Sequence, residues 1–200
     1  CSSDLEGQGA RAPEAIRIMA CFDKPITGTS AEAMDLTNDK PRTKQKLREA
    51  GLLTADWSEG PAWARLDPGR WIVKSALEDA SIGLDDGCVV EAKDVPSRAA
   101  LCAEKFGGIW FAEKFLEGRE FNIAILGKRD CPRILPLAEM RFENWPDGKP
   151  RIVGYAAKWD EGSAGWCHTV RHFGVEREEP ELAAKIRAAC EKVWRLFDLY

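Results

Sequence analysis

WIVKSALEDASIGL, residues 71–84, is the stretch from which the rest of the chain is read. Trp71, Ile72 and Val73 form a short apolar run of the kind buried inside a sheet, and the run delivers Lys74 where the chain turns polar. A loop of small and hydroxyl-bearing residues follows, from Ser75 to Gly83, in which Ala80, Ser81 and Gly83 let the backbone approach a ligand closely and offer it N–H groups. That composition suits a loop covering phosphate. It is not a P-loop, because the lysine precedes the loop and the G-x-x-x-x-G-K-[ST] spacing is absent. Read alone, the stretch is first of all a core strand with a snorkelling lysine and an ordinary surface loop. A second stretch downstream changes that balance.

Composition sets the outer bounds. Two hundred residues, 44% hydrophobic and 31% charged, are enough for one compact unit or two small lobes with a sizeable core. The net charge is −4, from 29 basic and 33 acidic residues without a basic run, so neither nucleic acid nor an anionic membrane is an expected partner. No apolar run approaches the ~18 residues of a membrane helix, and CSSDLEGQG lacks the regions of a signal peptide, so the cytoplasm is the expected location. Seven cysteines, odd in number and without a C-x-x-C pair, read as reduced, buried thiols. Cys167, His168 and His172 offer three candidate metal ligands but no fourth at matching spacing, so no metal site is assigned.

Taken in order, residues 6–11 are glycine-rich and PEAIRIMACF (13–22) has helical spacing. Ile26 to Ser30 reads as a short strand or turn, leading into a capping box of Thr29 with Glu32 and a helix to Leu36. A helix starting at Asn38-Asp39-Lys40-Pro41 runs through Arg42 to Ala50 and stops at Gly51. Its five basic residues read as a solvated face, Lys40 excepted. Cys88 to Val90 is a strand, Pro96 to Phe106 a helix. The second informative stretch is IWFAEKFLEGREFNIAILG (109–127): a strand carrying Glu113 and Lys114, a turn at Glu117-Gly118-Arg119, and a second strand over Glu120 to Leu126. Ile134 to Leu137 and Ile152 to Tyr155 are expected as short strands, with Lys158 after the second. The last helix begins at Pro180 and bears Leu182, Ile186, Val193 and Leu196 on one stripe.

Four blocks together resemble the D-alanine–D-alanine ligase family of the ATP-grasp superfamily: LTNDKPRTKQKLREAGLLTAD (36–56), WIVKSALEDASIGL (71–84), EKFLEGREFNIAILG (113–127) and YAAKW (155–159). They fall in the family's order and approximate spacing. The resemblance implies an α+β fold in which ATP lies between two lobes. It divides the chain into the tail of an amino-terminal substrate domain (1–38), a first lobe (39–115) and a second, incomplete lobe (116–200).

It also implies roles. Lys74 would contact the α and β phosphates, with Lys40 among the nucleotide contacts. The loop from Glu78 to Gly83 would close over the triphosphate with Ser81 as a donor. Glu113, Lys114, Phe115 and Leu116 would hold the adenine, Glu120 would accept from the ribose hydroxyls, and Lys158 would approach the γ phosphate as the catalytic lysine. Lysines are point charges suited to phosphate, and an ionised glutamate accepts from paired hydroxyls. The implied activity is ATP-dependent joining of a carboxylate to an amine through an acyl phosphate, with ATP and Mg2+ as cofactors, a small carboxylate or amino acid as partner, and a homodimer as a possible assembly.

Two departures qualify this. Where the family carries a first loop serine and an aromatic hydroxyl that orient D-alanine, this chain has Ala80 and Trp159, so a substrate other than D-alanine is expected. The family's magnesium ligands follow the last helix, where this sequence stops at Tyr200. Glu120-Phe121-Asn122 matches E-x-N but lies in the hinge strand. A nucleotide-binding fragment or regulatory relative without turnover is therefore the alternative reading.

Overall fold

Alternation along two strands builds the central sheet. The structure, a computed structural model, describes residues 9–22, 28–60 and 62–200. The glycine-rich start and the turn expected at Ile26-Thr27 lie wholly or partly outside the described residues. Helix α1 spans Ala12–Ala20 with Pro13 in its first turn. Helix α2, Ala31–Asn38, is capped one residue later than expected: Ser30, in extended backbone, accepts from the Ala33 N–H at 3.1 Å, the geometry predicted for Thr29. Helix α3, Lys40–Glu49, is capped by Asp39, whose carboxylate accepts from the Arg42 N–H at 2.9 Å. It ends at Gly51, where the N–H groups of Gly51 and Leu52 donate back to Arg48 and Leu47.

Strands β1 (Trp57–Glu59), β2 (Arg70–Ser75), β3 (Val89–Glu91) and, after helix α4 (Val95–Phe106), β4 (Trp110–Lys114) form an antiparallel sheet in the order β1-β4-β2-β3. Lys74 is inside β2, opposite Phe111, and Ile72 is opposite Glu113. Directly opposed residues share a face, so the register sorts the sheet's side chains in pairs. Trp71, Val73, Trp110 and Ala112 go to one face and close on Val95, Ala99 and Cys102 of α4, forming the larger core.

The second half is less regular than its sequence suggests. Glu120 to Leu126 was expected as one strand, but it splits into β5 (Glu120–Asn122) and β6 (Ile125–Lys128). β5 pairs with β8 (Ala138–Phe142), whereas β6 turns back on β7 (Cys131–Ile134); one alternating run serves two partners. The expected strand over Ile134 to Leu137 is likewise divided between β7 and the loop before β8. Helices α5 (Tyr155–Trp159) and α6 (Ala164–His168) precede β9 (Thr169–His172), which completes the sheet β5-β8-β9. The strand expected over Ile152 to Tyr155 is absent. Val153 meets side chains instead of a ladder: its carbonyl accepts from Ser81 and its N–H donates to Glu120.

Helices α7 (Val175–Glu178) and α8 (Pro180–Leu196) close the chain. Leu137, Val175 and Ala183 form a smaller core, flanked by Leu182 and Ile186. Buried Glu139 is held between Arg119, at 2.7 Å, and Arg141, at 3.1 Å. No described helix is long and apolar enough to cross a membrane. The six described cysteines are free. Contrary to the expectation of burial, Cys21, Cys131 and Cys167 are exposed, because they fall on a helix end, an outer hairpin and a short surface helix.

Candidate functional site

The sheet face turned away from α4 carries Lys74 of β2 and Glu113 of β4, with Ile72 and Phe111 opposite them. Lys74, Phe111 and Glu113 line a cavity of about 430 Å³, which is closed by Lys40, Thr43 and Lys44 of α3, by the 78–84 loop and by Lys158 of α5. At its floor the Glu113 carboxylate lies between two ammonium groups, hydrogen-bonded to Lys74 and 2.8 Å from Lys44. Burial alone pushes this carboxyl upward, but the two lysines reverse the effect and hold it below the ordinary carboxylate range. Lys44 is itself only 7% exposed; it also donates to Thr54 Oγ1 at 2.7 Å and lies over the Trp57 ring.

Lys40 donates to the Glu78 carbonyl at 2.8 Å and pairs with Asp79 at 3.2 Å, which ties α3 to the loop. Among the described residues Lys158 makes no ion pair. Four cations thus converge on one cavity, three of them already engaged.

The 78–84 loop is shaped by unusual backbone. Ala80, Ser81 and Gly83 all have positive φ, at 56°, 62° and 72°. At Gly83 a Cβ would run into the Trp110 ring, so that glycine seats the loop on the core as much as it opens it to a ligand. Ser81, buried, donates to the Val153 carbonyl at 3.1 Å, and Trp159 Nε1 donates to the Ala80 carbonyl at 3.0 Å. Glu78 lines the cavity, but its carboxylate accepts from the Gly9 N–H at 3.0 Å.

Of the residues singled out from sequence, Lys40, Lys74, Glu78, Ser81, Glu113 and Lys158 line this one cavity. Glu120 stands beside it. Burial raises the Glu120 pKa, offset in part by the Val153 N–H and by the charges of Lys74 and Lys158. The expected adenine hinge is dispersed. Glu113 faces the cavity, whereas Lys114, one residue on, points to the opposite side of β4, donating to the Pro68 carbonyl at 2.7 Å above the Trp71 ring. Phe115 lies under the Arg70 guanidinium and lines a separate cavity of about 530 Å³ with Arg119 and Trp145. Leu116 is exposed.

Lys44, which the sequence places on a solvated face, is instead a buried member of the site. It is buried because α3 turns one face to the sheet, and residues four apart share a helix face. The spacing of Lys40 and Lys44 was the signal that could have found it.

No protein-family model matches the chain. Among curated proteins, the D-alanine–D-alanine ligase of Nitrosococcus oceani is 34% identical over 191 residues, spanning 90% of this chain and 54% of its own length. That of Chromohalobacter salexigens is 34% identical over 176 residues, spanning 84% and 51%. The chain is homologous to the D-alanine–D-alanine ligases. Its fold is the ATP-grasp fold. The D-alanine–D-alanine ligase of Bacillus anthracis complexed with ATP matches it with a TM-score of 0.64 at 16% identity, over 92% of this chain and 55% of that one. The Coxiella burnetii enzyme matches with a TM-score of 0.64 at 12% identity, over 96% and 50%. The chain therefore spans about half the length of the ligases it matches. Ala80 and Trp159, the two positions at which the sequence departs from the resemblance, touch each other through the indole N–H and the backbone carbonyl.

Proposed function

We propose that this chain binds ATP in the lysine-lined cavity, as the nucleotide-binding part of an ATP-dependent ligase that joins a carboxylate to an amine. The observation that carries this reading is the placing of Lys40, Lys44, Lys74 and Lys158 around one cavity beneath a loop of left-handed backbone. The 430 Å³ space and its excess of ammonium groups suit a compact polyanion. Homology to ligases, one of them complexed with ATP, supports the nucleotide. Residues 39–115 and 116–200 are the two lobes in this reading.

Lys74 and Lys40 take the phosphates nearest the sheet, and Lys44 keeps Glu113 ionised and in place. Lys158 meets the terminal phosphate. The loop amides cover the chain of phosphates, Ser81 contributing its backbone N–H because its hydroxyl is given to Val153, while Glu120 accepts from the ribose. The nucleotide, when bound, supplies a phosphoryl group to the carboxylate substrate. Ala80 and Trp159 present no hydroxyl, and the indole N–H is spent on the loop, so we propose a carboxylate partner other than D-alanine.

Among the described residues no cluster of three His, Cys, Asp or Glu is placed to hold a metal ion by itself, so magnesium here would be carried by the nucleotide's phosphates. The carboxylates of Glu78, Asp79 and Glu113 are each bound to an N–H group or a lysine. A second reading, in which these residues bind nucleotide without turnover, takes those engaged carboxylates as its support.

The two readings share one first test. Lys74→Ala should weaken ATP binding roughly ten- to a hundredfold, the loss of a charge-assisted contact worth about 1.5–3 kcal/mol. Calorimetric titration of a folded variant with wild-type affinity would remove this cavity from consideration. Magnesium-dependent ADP formation by the purified chain, above a Lys158→Ala control, would then decide against the reading without turnover.

A further inference from the structure

We propose that Trp159 is a positioning residue that latches the phosphate loop over the cavity before any nucleotide arrives; the ligand named here rests on the reading above. Helix α5 puts two neighbouring side chains on opposite sides of the loop. Lys158 lines the inner cavity, while Trp159 lines an outer one of about 540 Å³ with Tyr155 and Phe106. Ala80, Ile82 and Leu84 border both, so the loop is the partition between them. Successive helical residues diverge by about 100°, which allows one short helix to grip a strip of chain from both sides.

Three hydrogen bonds fasten that strip to the second half of the molecule. Trp159 Nε1 donates to the Ala80 carbonyl at 3.0 Å, Ser81 Oγ to the Val153 carbonyl at 3.1 Å, and the Tyr155 N–H to the Leu84 carbonyl at 2.9 Å. At the last crossing the Leu84 carbonyl occupies the place of a Cβ on Gly154, so the two backbones can approach this closely only at a glycine.

The tethers fall where the backbone needs them. Ala80 and Ser81 are consecutive residues with a Cβ in the left-handed region, a conformation that persists only where its surroundings impose it. Each of the two carries one of the side-chain tethers. The latch therefore holds the loop in its covering shape, and the same helix sets Lys158 at the cavity wall. Ser163 fixes the helix in turn by donating to the Ala156 carbonyl at 3.1 Å.

Trp159→Phe keeps a ring and removes the N–H. In the nucleotide-free chain, amide exchange across residues 78–84 should accelerate roughly three- to tenfold, the equivalent of one hydrogen bond, while β2 and α4 exchange as in wild type. Ser81→Ala, which cuts the neighbouring tether, should have the same local effect, and Trp159→Leu decides the question if Trp159→Phe does not fold. The ratio of ATP to AMP affinity should fall by a similar factor in Trp159→Phe, because AMP lacks the phosphates that the loop covers. Wild-type exchange of the loop in the folded Trp159 variant would overturn the latch. Faster exchange with an unchanged ATP to AMP ratio would overturn the positioning role. A chain that binds no ATP refutes the nucleotide reading alone, since the exchange measurement contains no ligand.

Discussion

The two faces of the β1-β4-β2-β3 sheet are made by the same two strands and do opposite things. On one, Trp71, Val73, Trp110 and Ala112 meet α4 in a dry core, all at 5% exposure or less. On the other, Lys74 and Glu113 face a cavity with Lys44 and Lys40. A period of two separates them, so stability and chemistry are interleaved residue by residue along the strand. The comparison teaches that the charged face has an organised interior of its own. Glu113 screens two lysines from each other, and those lysines keep Glu113 ionised.

Substitution on each face separates the two roles. The largest loss is expected from Trp110→Ala, which empties a space in the core and frees the Gly107 carbonyl that the indole N–H now meets at 2.7 Å. About 3–5 kcal/mol should be lost in denaturant unfolding, with loosening of the loop as well, since Trp110 sits against Gly83.

Next comes Glu113→Gln, which leaves two ammonium groups facing a neutral amide. A cost of about 3 kcal/mol is expected from breaking a buried pair. Its pH signature has a definite sign. Because the folded-state pKa of Glu113 is lowered, the stability it contributes is complete above the ordinary carboxylate pKa and is lost as pH falls through the lowered value. Wild type should therefore lose stability in acid more steeply than Glu113→Gln, and parallel unfolding curves below about pH 4 would contradict the pairing.

The smallest effect belongs at the cavity's margin. Glu120→Gln should reduce discrimination between ATP and its 2′,3′-dideoxy analogue by about fivefold, one hydrogen bond's worth. Glu120 has a raised pKa, so acidification protonates it first and should diminish the same discrimination in wild type at a pH where Glu113 is still ionised. Equal preference in wild type and variant would place Glu120 outside the ligand's reach.

Much of the first sheet was legible in residue order. The apolar run before Lys74, the helix closed by Gly107, and Asp39 and Gly51 at the ends of α3 are local features, governed by side-chain periodicity and by backbone groups within a few residues. The second half was harder. β8 alternates apolar Ala138, Met140 and Phe142 with charged Glu139 and Arg141, the pattern of a strand with one solvated face; Glu139 is nevertheless buried because Arg119 arrives from the turn before β5.

Residue order alone named Lys40, Lys74, Glu78, Ser81, Glu113 and Lys158, because the lysines, the hydroxyl and the carboxylates sit in short stretches whose types and spacing carry the resemblance. Their bonding came from the fold. Lys44 is buried because α3 lies across the sheet. Lys114 and Glu113 part company because neighbouring strand residues point to opposite faces. Trp159 reaches Ala80 across 79 positions of chain because Leu84 and Gly154 cross in contact. Such pairings depend on distances between segments remote in sequence, and these exist only once both sheets have packed.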